Sequence, residues 1–123
     1  MGAVIDTNVI IEIARNKELL ERLLELDNLF YMTSVTRFEL LVGFPKKDEL
    51  IWLDSLIELP FDRRSAEVAA YLYKRLRSKG KPMSLRDLFI GATALANDLP
   101  LITLDRDFEA LRDFGLNVRF LRY

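Results

Sequence analysis

AVIDTNVII, residues 3–11, decides how the rest of the chain is read. Ala3, Val4 and Ile5 form a continuous apolar run, the signature of a short parallel strand covered by helices on both faces. Val9, Ile10, Ile13 and Ala14 then recur at helical spacing. Asp6 therefore stands where a strand ends and a helix begins. In open α/β sheets ligands bind at that edge, outside the carboxyl ends of the strands. Asp is also a favoured helix N-cap, so the decisive question is whether other acids arrive at the same edge.

Outward from this stretch, strands and helices alternate. Residues 19–26 carry leucines at helical spacing, and Asp27-Asn28 marks a turn. LFYMTS (29–34) reads as a second strand and VTRFELLVG (35–43) as a helix. KKDELIWLDSLIEL (46–59) puts Leu50, Leu53, Leu56 and Ile57 on one face, an amphipathic helix running into a short strand near 57–59. Further helices are expected over 65–78, ending at Gly80, over 84–97 and, briefly, over 105–115. LPLITL (99–104) and LNVRFL (116–121) complete the strands. This order predicts the α/β class: a single three-layer domain over residues 1–123, with a mainly parallel central sheet of four to five strands flanked by helices.

The composition removes several chemistries. The 123 residues include no cysteine and no histidine. That excludes disulfides, thiolate metal sites, imidazole acid–base catalysis and most zinc sites. A net charge of −1 gives no bulk attraction to nucleic acid, so any such binding needs a local basic patch. The early apolar stretch is interrupted by Asp6, Asn8 and Glu12, which fits neither a signal peptide nor a membrane span, and a cytoplasmic location is expected.

Four acids fall at one edge of the expected sheet. Asp6 follows the first strand, Glu39 lies early in the helix after the second, Asp87 occupies the first turn of the 84–97 helix, and Asp105 follows strand 99–104. Each has an ordinary explanation: Thr36-x-x-Glu39 and Ser84-x-x-Asp87 both match capping boxes. As a set they do not. Two carboxylates 4 Å apart repel by roughly 4 kcal/mol at an effective dielectric of 20, so a cluster calls for a cation between its members. An all-oxygen ligand set points to Mg²⁺ or Mn²⁺. Such ions serve in-line phosphodiester hydrolysis by activating water and neutralising the leaving oxygen.

These segments carry a family resemblance. AVIDTNVII, TSVTRFELLVG, SLRDLFIGATALA and LPLITLDRDF resemble, in order and spacing, the PIN-domain ribonucleases of the toxin kind in VapBC toxin–antitoxin pairs. The resemblance implies a PIN-like fold and a metal-dependent endoribonuclease acting on single-stranded or structured RNA. It makes Asp6, Glu39, Asp87 and Asp105 the catalytic and metal-binding acids, with Asp107 a further metal participant. Asn8 matches the supporting polar residue after the first Asp, and Thr103 the small hydroxyl residue that orients the attacking water. An antitoxin protein and a homodimer are the implied partners. A PIN-like domain used only for RNA binding or scaffolding is the alternative.

Two other folds with a strand-end Asp fit less well. A haloacid-dehalogenase-like phosphatase needs a second Asp where Asn8 stands, and a response-regulator receiver needs a strand-end Asp and Lys that IELPF and LNVRFL do not supply. KRLRSKGKPMSLR (74–86) holds six cations and no acid, and runs directly into Asp87. Lys79, Lys81 and Arg86 are thereby candidates for guiding RNA, or ordinary cations at a helix end. Leu19, Leu20, Leu23, Leu24, Trp52 and Leu53 form an apolar surface that is either core or a groove for a partner helix. Tyr71 and Tyr73 are candidates for a dimer contact.

Overall fold

The computed structural model describes residues 1–43 and 53–122. Five strands, β1 (Ala3–Ile5), β2 (Phe30–Thr33), β3 (Ile57–Leu59), β4 (Leu101–Thr103) and β5 (Val118–Phe120), form one sheet in the order β3-β2-β1-β4-β5. Every pairing is parallel, with Val4 opposite both Tyr31 and Leu101. The helices are α1 (Thr7–Ile13), α2 (Lys17–Leu26), α3 (Ser34–Gly43), α4 (Arg63–Ser78) and α5 (Leu85–Ala96), with a 3₁₀ helix over Arg106–Phe114. The expected α/β class, parallel sheet and three layers are therefore observed. The amphipathic helix expected within residues 46–59 lies, up to Trp52, outside the described residues. Beyond it Leu53 is buried, whereas Ile57 is exposed on β3.

Pleating of the two central strands separates the layers, because successive side chains point to opposite faces. Val4 and Leu101 face α4, α5 and the 3₁₀ helix, where Leu72, Leu76, Leu88, Ile90, Phe108 and Leu111 are buried. Ala3, Ile5 and Ile102 face the other way, against Val9, Ile10, Leu19, Leu23 and Leu40 of α1, α2 and α3. The apolar stripe of α2 is thus divided: Leu19 and Leu23 are core, whereas Leu20 and Leu24 are exposed. No described helix is long and apolar enough to cross a membrane.

The last helical segment is 3₁₀ rather than α. Its inward residues Phe108 and Leu111 are three apart and both fully buried. A helix of three residues per turn stacks such positions in line, which suits a single row of contacts against the core. Gly115, at φ +96°, ends it in the left-handed region that a glycine enters without a Cβ penalty.

The strand order creates one switch point. The chain lays β2 and β3 on one side of β1 and β4 and β5 on the other, so the loops after β1 and β4 diverge from a common crevice. Asp6 follows β1 directly and Asp105 follows β4 by two residues. The 3₁₀ helix closes the layer beside that crevice, so its packing also holds its own first turn, with Asp105 as cap and Asp107 within it. Phe108→Ala is expected to lower unfolding free energy by about 3–5 kcal/mol in urea titrations, from lost burial plus the cavity left behind. Leu24→Ala, 57% exposed, should stay within about 0.5 kcal/mol of wild type.

Candidate active site

Asp6 caps α1 and is fully buried. Its Oδ1 accepts from the Thr7 amide at 2.8 Å, and its Oδ2 accepts from Thr103 Oγ1 at 2.8 Å. The second bond crosses the switch point and ties the end of β1 to the end of β4. Thr103 Oγ1 in turn accepts from the Asp105 amide at 3.0 Å, and Asp105 Oδ1 accepts from the Asp107 amide at 2.9 Å. A single hydrogen-bonded line therefore sets the positions of three acids. Asn8 reaches the same loop, where its Oδ1 accepts from the Leu104 amide at 3.4 Å.

Glu39 is held from both sides. Thr7 Oγ1 donates to its Oε1 at 2.7 Å, and Arg86 Nε is ion-paired with its Oε2. Thr7 Oγ1 also lies 3.0 Å from Thr36 Oγ1, and Thr33 Oγ1 donates to Thr36 Oγ1 at 3.3 Å. Each hydroxyl has one proton. With Thr7 donating to the carboxylate, Thr36 is the donor to Thr7, which gives a directed chain from Thr33 to Glu39. All three threonines are buried. The α3 cap differs from the Thr36-x-x-Glu39 capping box read in the sequence. Thr33 Oγ1 accepts from the Thr36 amide at 3.2 Å, so the capping residue is Thr33 and Glu39 lies a turn further on. Ser84 caps α5 as expected, accepting from the Asp87 amide at 3.3 Å.

Asp87, Asp105 and Asp107 come together: one carboxylate oxygen from each lies within 4.8 Å of the others. Asp87 is 5% exposed, and among the described residues its Oδ1 accepts no hydrogen bond, although Arg86 Nη1 is ion-paired with it at 3.1 Å. A buried carboxylate with an oxygen that lacks a hydrogen-bond donor, in a group that brings one oxygen of each of two other acids close, is a site suited to a hard cation. Asp6 and Glu39 are outside this trio; the oxygens of both are engaged by threonines, the Thr7 amide and Arg86.

Burial pushes the Asp6 carboxyl up to about 6; Thr103, Thr7 and Arg86 oppose the rise and Asp87 adds to it. Burial likewise raises Asp87, opposed by Arg86 and Ser84 and reinforced by Asp105 and Asp107. The three candidate RNA cations separate. Lys79 Nζ lies 5.0 Å from the centre of the Phe114 ring. Lys81 lines a recess of about 180 Å³ with Ser84, Asp87 and Asp107. Arg86, expected on an RNA rim, instead pairs with Glu39 and Asp87, because a guanidinium beside clustered carboxylates finds them before solvent. Sequence reasoning did not identify Thr7, Thr33 and Thr36 as supports. Their signal was available: four of the five threonines, 7, 33, 36 and 103, lie at strand ends or early helix turns beside the acids.

A sequence profile described as PIN domain matches residues 3–113. The chain belongs to the PIN-domain family. Ribonuclease VapC3 of Methanocaldococcus jannaschii is 44% identical over 93 residues, covering 75% of this chain and 97% of that protein. The crystal structure of VapBC-5, a member of the VapBC family of toxin–antitoxin systems from Mycobacterium tuberculosis, superposes with a TM-score of 0.69 at 29% identity, covering 99% of this chain and 98% of that one. VapBC2 from Rickettsia felis, solved with a promoter DNA fragment, shares the fold at a TM-score of 0.85 and 24% identity, covering 99% and 100% of the respective chains.

Within this PIN domain the titration of Asp6 gives a direct test. Between 3.8 and about 6 the folded protein retains a proton on Asp6 that the unfolded chain has released. Stability from this group therefore falls as pH rises through that window, by about 3 kcal/mol in all. Asp6→Asn removes the charge and keeps the capping acceptor. In EDTA its melting temperature should exceed that of wild type at pH 7.5, with the advantage disappearing towards pH 4. A difference independent of pH would contradict the assignment.

Proposed function

We propose that this chain is a metal-dependent endoribonuclease and the toxin of a toxin–antitoxin pair. The observation that carries the reading is the Asp87, Asp105 and Asp107 trio, with its buried oxygen lacking a hydrogen-bond donor, at the switch point of a PIN domain. The relative named Ribonuclease VapC3, at 44% identity, supports RNA as the substrate class.

Asp87, Asp105 and Asp107 are the residues that would hold Mg²⁺ or Mn²⁺, and the ion when bound would activate water and neutralise charge on the leaving oxygen. Asp6 orients Thr103 and, through it, the Asp105 loop. Thr103, fully buried, gives its proton to Asp6 and accepts from the Asp105 amide, so its role is to fix the acid-bearing segment after β4. Glu39, aimed by Thr7, faces the same edge as the outer acid of the set. Lys81, on the wall of the acid-lined recess, is the cation best placed to meet an RNA phosphate there.

An antitoxin and a second copy of the chain are the proposed partners. Phe38, Leu41 and Val42 on α3 and Leu20 and Leu24 on α2 are exposed apolar side chains of the kind a protein partner covers. Tyr71 and Tyr73 are exposed on α4, on the opposite layer. A cytoplasmic location accords with this role.

Purified protein mixed with a single-stranded RNA pool should cleave it with Mg²⁺ or Mn²⁺ and stop on addition of EDTA. Products should carry 5′-phosphate and 3′-hydroxyl ends, because water and not the ribose 2′-hydroxyl attacks. Ends bearing 2′,3′-cyclic phosphate would overturn the mechanism, and metal-independent inertness of well-folded protein would favour the scaffolding alternative. Asp87→Asn should abolish cleavage while the melting temperature in EDTA stays level or rises, since one of three mutually repelling charges is removed. Near-normal cleavage by the folded variant would return Asp87 to a helix-terminus role.

A further inference from the structure

Arg86 is the residue whose position neither the sequence pattern nor the proposed reaction accounts for. It directly precedes Asp87 at the start of α5, yet its guanidinium reaches across to α3. There it meets Glu39 Oε2 through Nε, and through Nη1 it lies 3.1 Å from Asp87 Oδ1. It also acts favourably on the charge of Asp6. The Asp87 oxygen it faces is the buried one that accepts no hydrogen bond. The side chain is 40% exposed, although its Nε is buried beside Glu39.

We propose that Arg86 is a built-in counter-cation of the site: it bridges Glu39 and Asp87 and competes with a divalent ion for them. The inference rests on the metal-site reading of the Asp87, Asp105 and Asp107 trio. In the metal-free state these carboxylates repel one another, and a guanidinium is the side chain that can fork between two carboxylates at once. A divalent ion bound by Asp87 meets this positive charge at close range. Its affinity is therefore set by a contest in which the ion takes over the Asp87 oxygen and the guanidinium withdraws towards solvent. Arg86 acts here as a positioning residue on Glu39 and Asp87. The cation expected to attract RNA thus tempers metal affinity, and it becomes free to face a phosphodiester only once metal is in place.

The test is Mn²⁺ binding by calorimetry to wild type, Arg86→Gln and Arg86→Lys, with Mg²⁺ titration of ¹⁵N-labelled wild type as a second measurement. Arg86→Gln should bind Mn²⁺ about tenfold or more tightly than wild type and melt at lower temperature in EDTA. Arg86→Lys retains the charge and should bind close to wild type. A purely structural role predicts the opposite direction, since a distorted site would bind more weakly. In wild type, the Arg86 Nε–H resonance should move with added Mg²⁺ along the binding isotherm, which reads the proposal even if a variant does not fold. Equal or weaker Mn²⁺ binding by folded Arg86→Gln, or an Arg86 resonance unmoved at saturating Mg²⁺, overturns the counter-cation role alone. Absence of any metal binding by wild type overturns the metal-site reading and this inference together.

Discussion

Repulsion between carboxylates gathered at one sheet edge is the constraint around which this structure is arranged. Asp87, Asp105 and Asp107 approach within 4.8 Å, and Asp6 and Glu39 stand beside them. Unrelieved, each close pair opposes folding by roughly 3–4 kcal/mol at an effective dielectric of 20. The fold answers with directed donors. Asp6 receives an amide and a hydroxyl, Asp105 an amide, and Glu39 a hydroxyl and a guanidinium. Asp87 is the exception, buried with an oxygen that, among the described residues, has only the adjacent guanidinium. The deficit is concentrated where a cation is most useful.

The support comes mainly from threonine. Thr7 and Thr103 each connect an acid to another element, and Thr33 and Thr36 extend the Thr7 connection to the end of β2. A buried hydroxyl both donates and accepts, so it can satisfy a carboxylate without adding a charge of its own. Lysine in these positions would neutralise the edge and weaken any divalent ion. The single guanidinium in the network is partly exposed, and that exposure separates a removable counter-ion from a permanent one.

Reading the chain from its residues captured the alternation of elements, because helical and strand periodicities are local properties of a few consecutive residues. It placed four acids at the switch-point edge, because parallel α/β topology sends every strand end to the same side. It left open the details that depend on what an element packs against. The short helix expected over 105–115 takes the 3₁₀ form, with Phe108 and Leu111 sharing one line of core contacts, and the residue that caps α3 is Thr33 rather than Thr36.

Which acids converge could not be settled from spacing. Asp105 and Asp107 join Asp87 because the first turn of the nine-residue 3₁₀ helix, which they cap and begin, lies beside the start of α5. Asp6 and Glu39 lie outside that trio, held by Thr103 and Thr7, which are 97 and 32 residues away in the chain. Arg86 is the clearest case. Next to Asp87 in a basic run, it reads as part of a phosphate-binding rim. Only the packing of α3 beside α5 puts Glu39 within its reach. Local sequence determined the elements and the chemical type of the edge. Contacts between residues distant in the chain decided which charges face each other, because electrostatic partnership depends on distance in space.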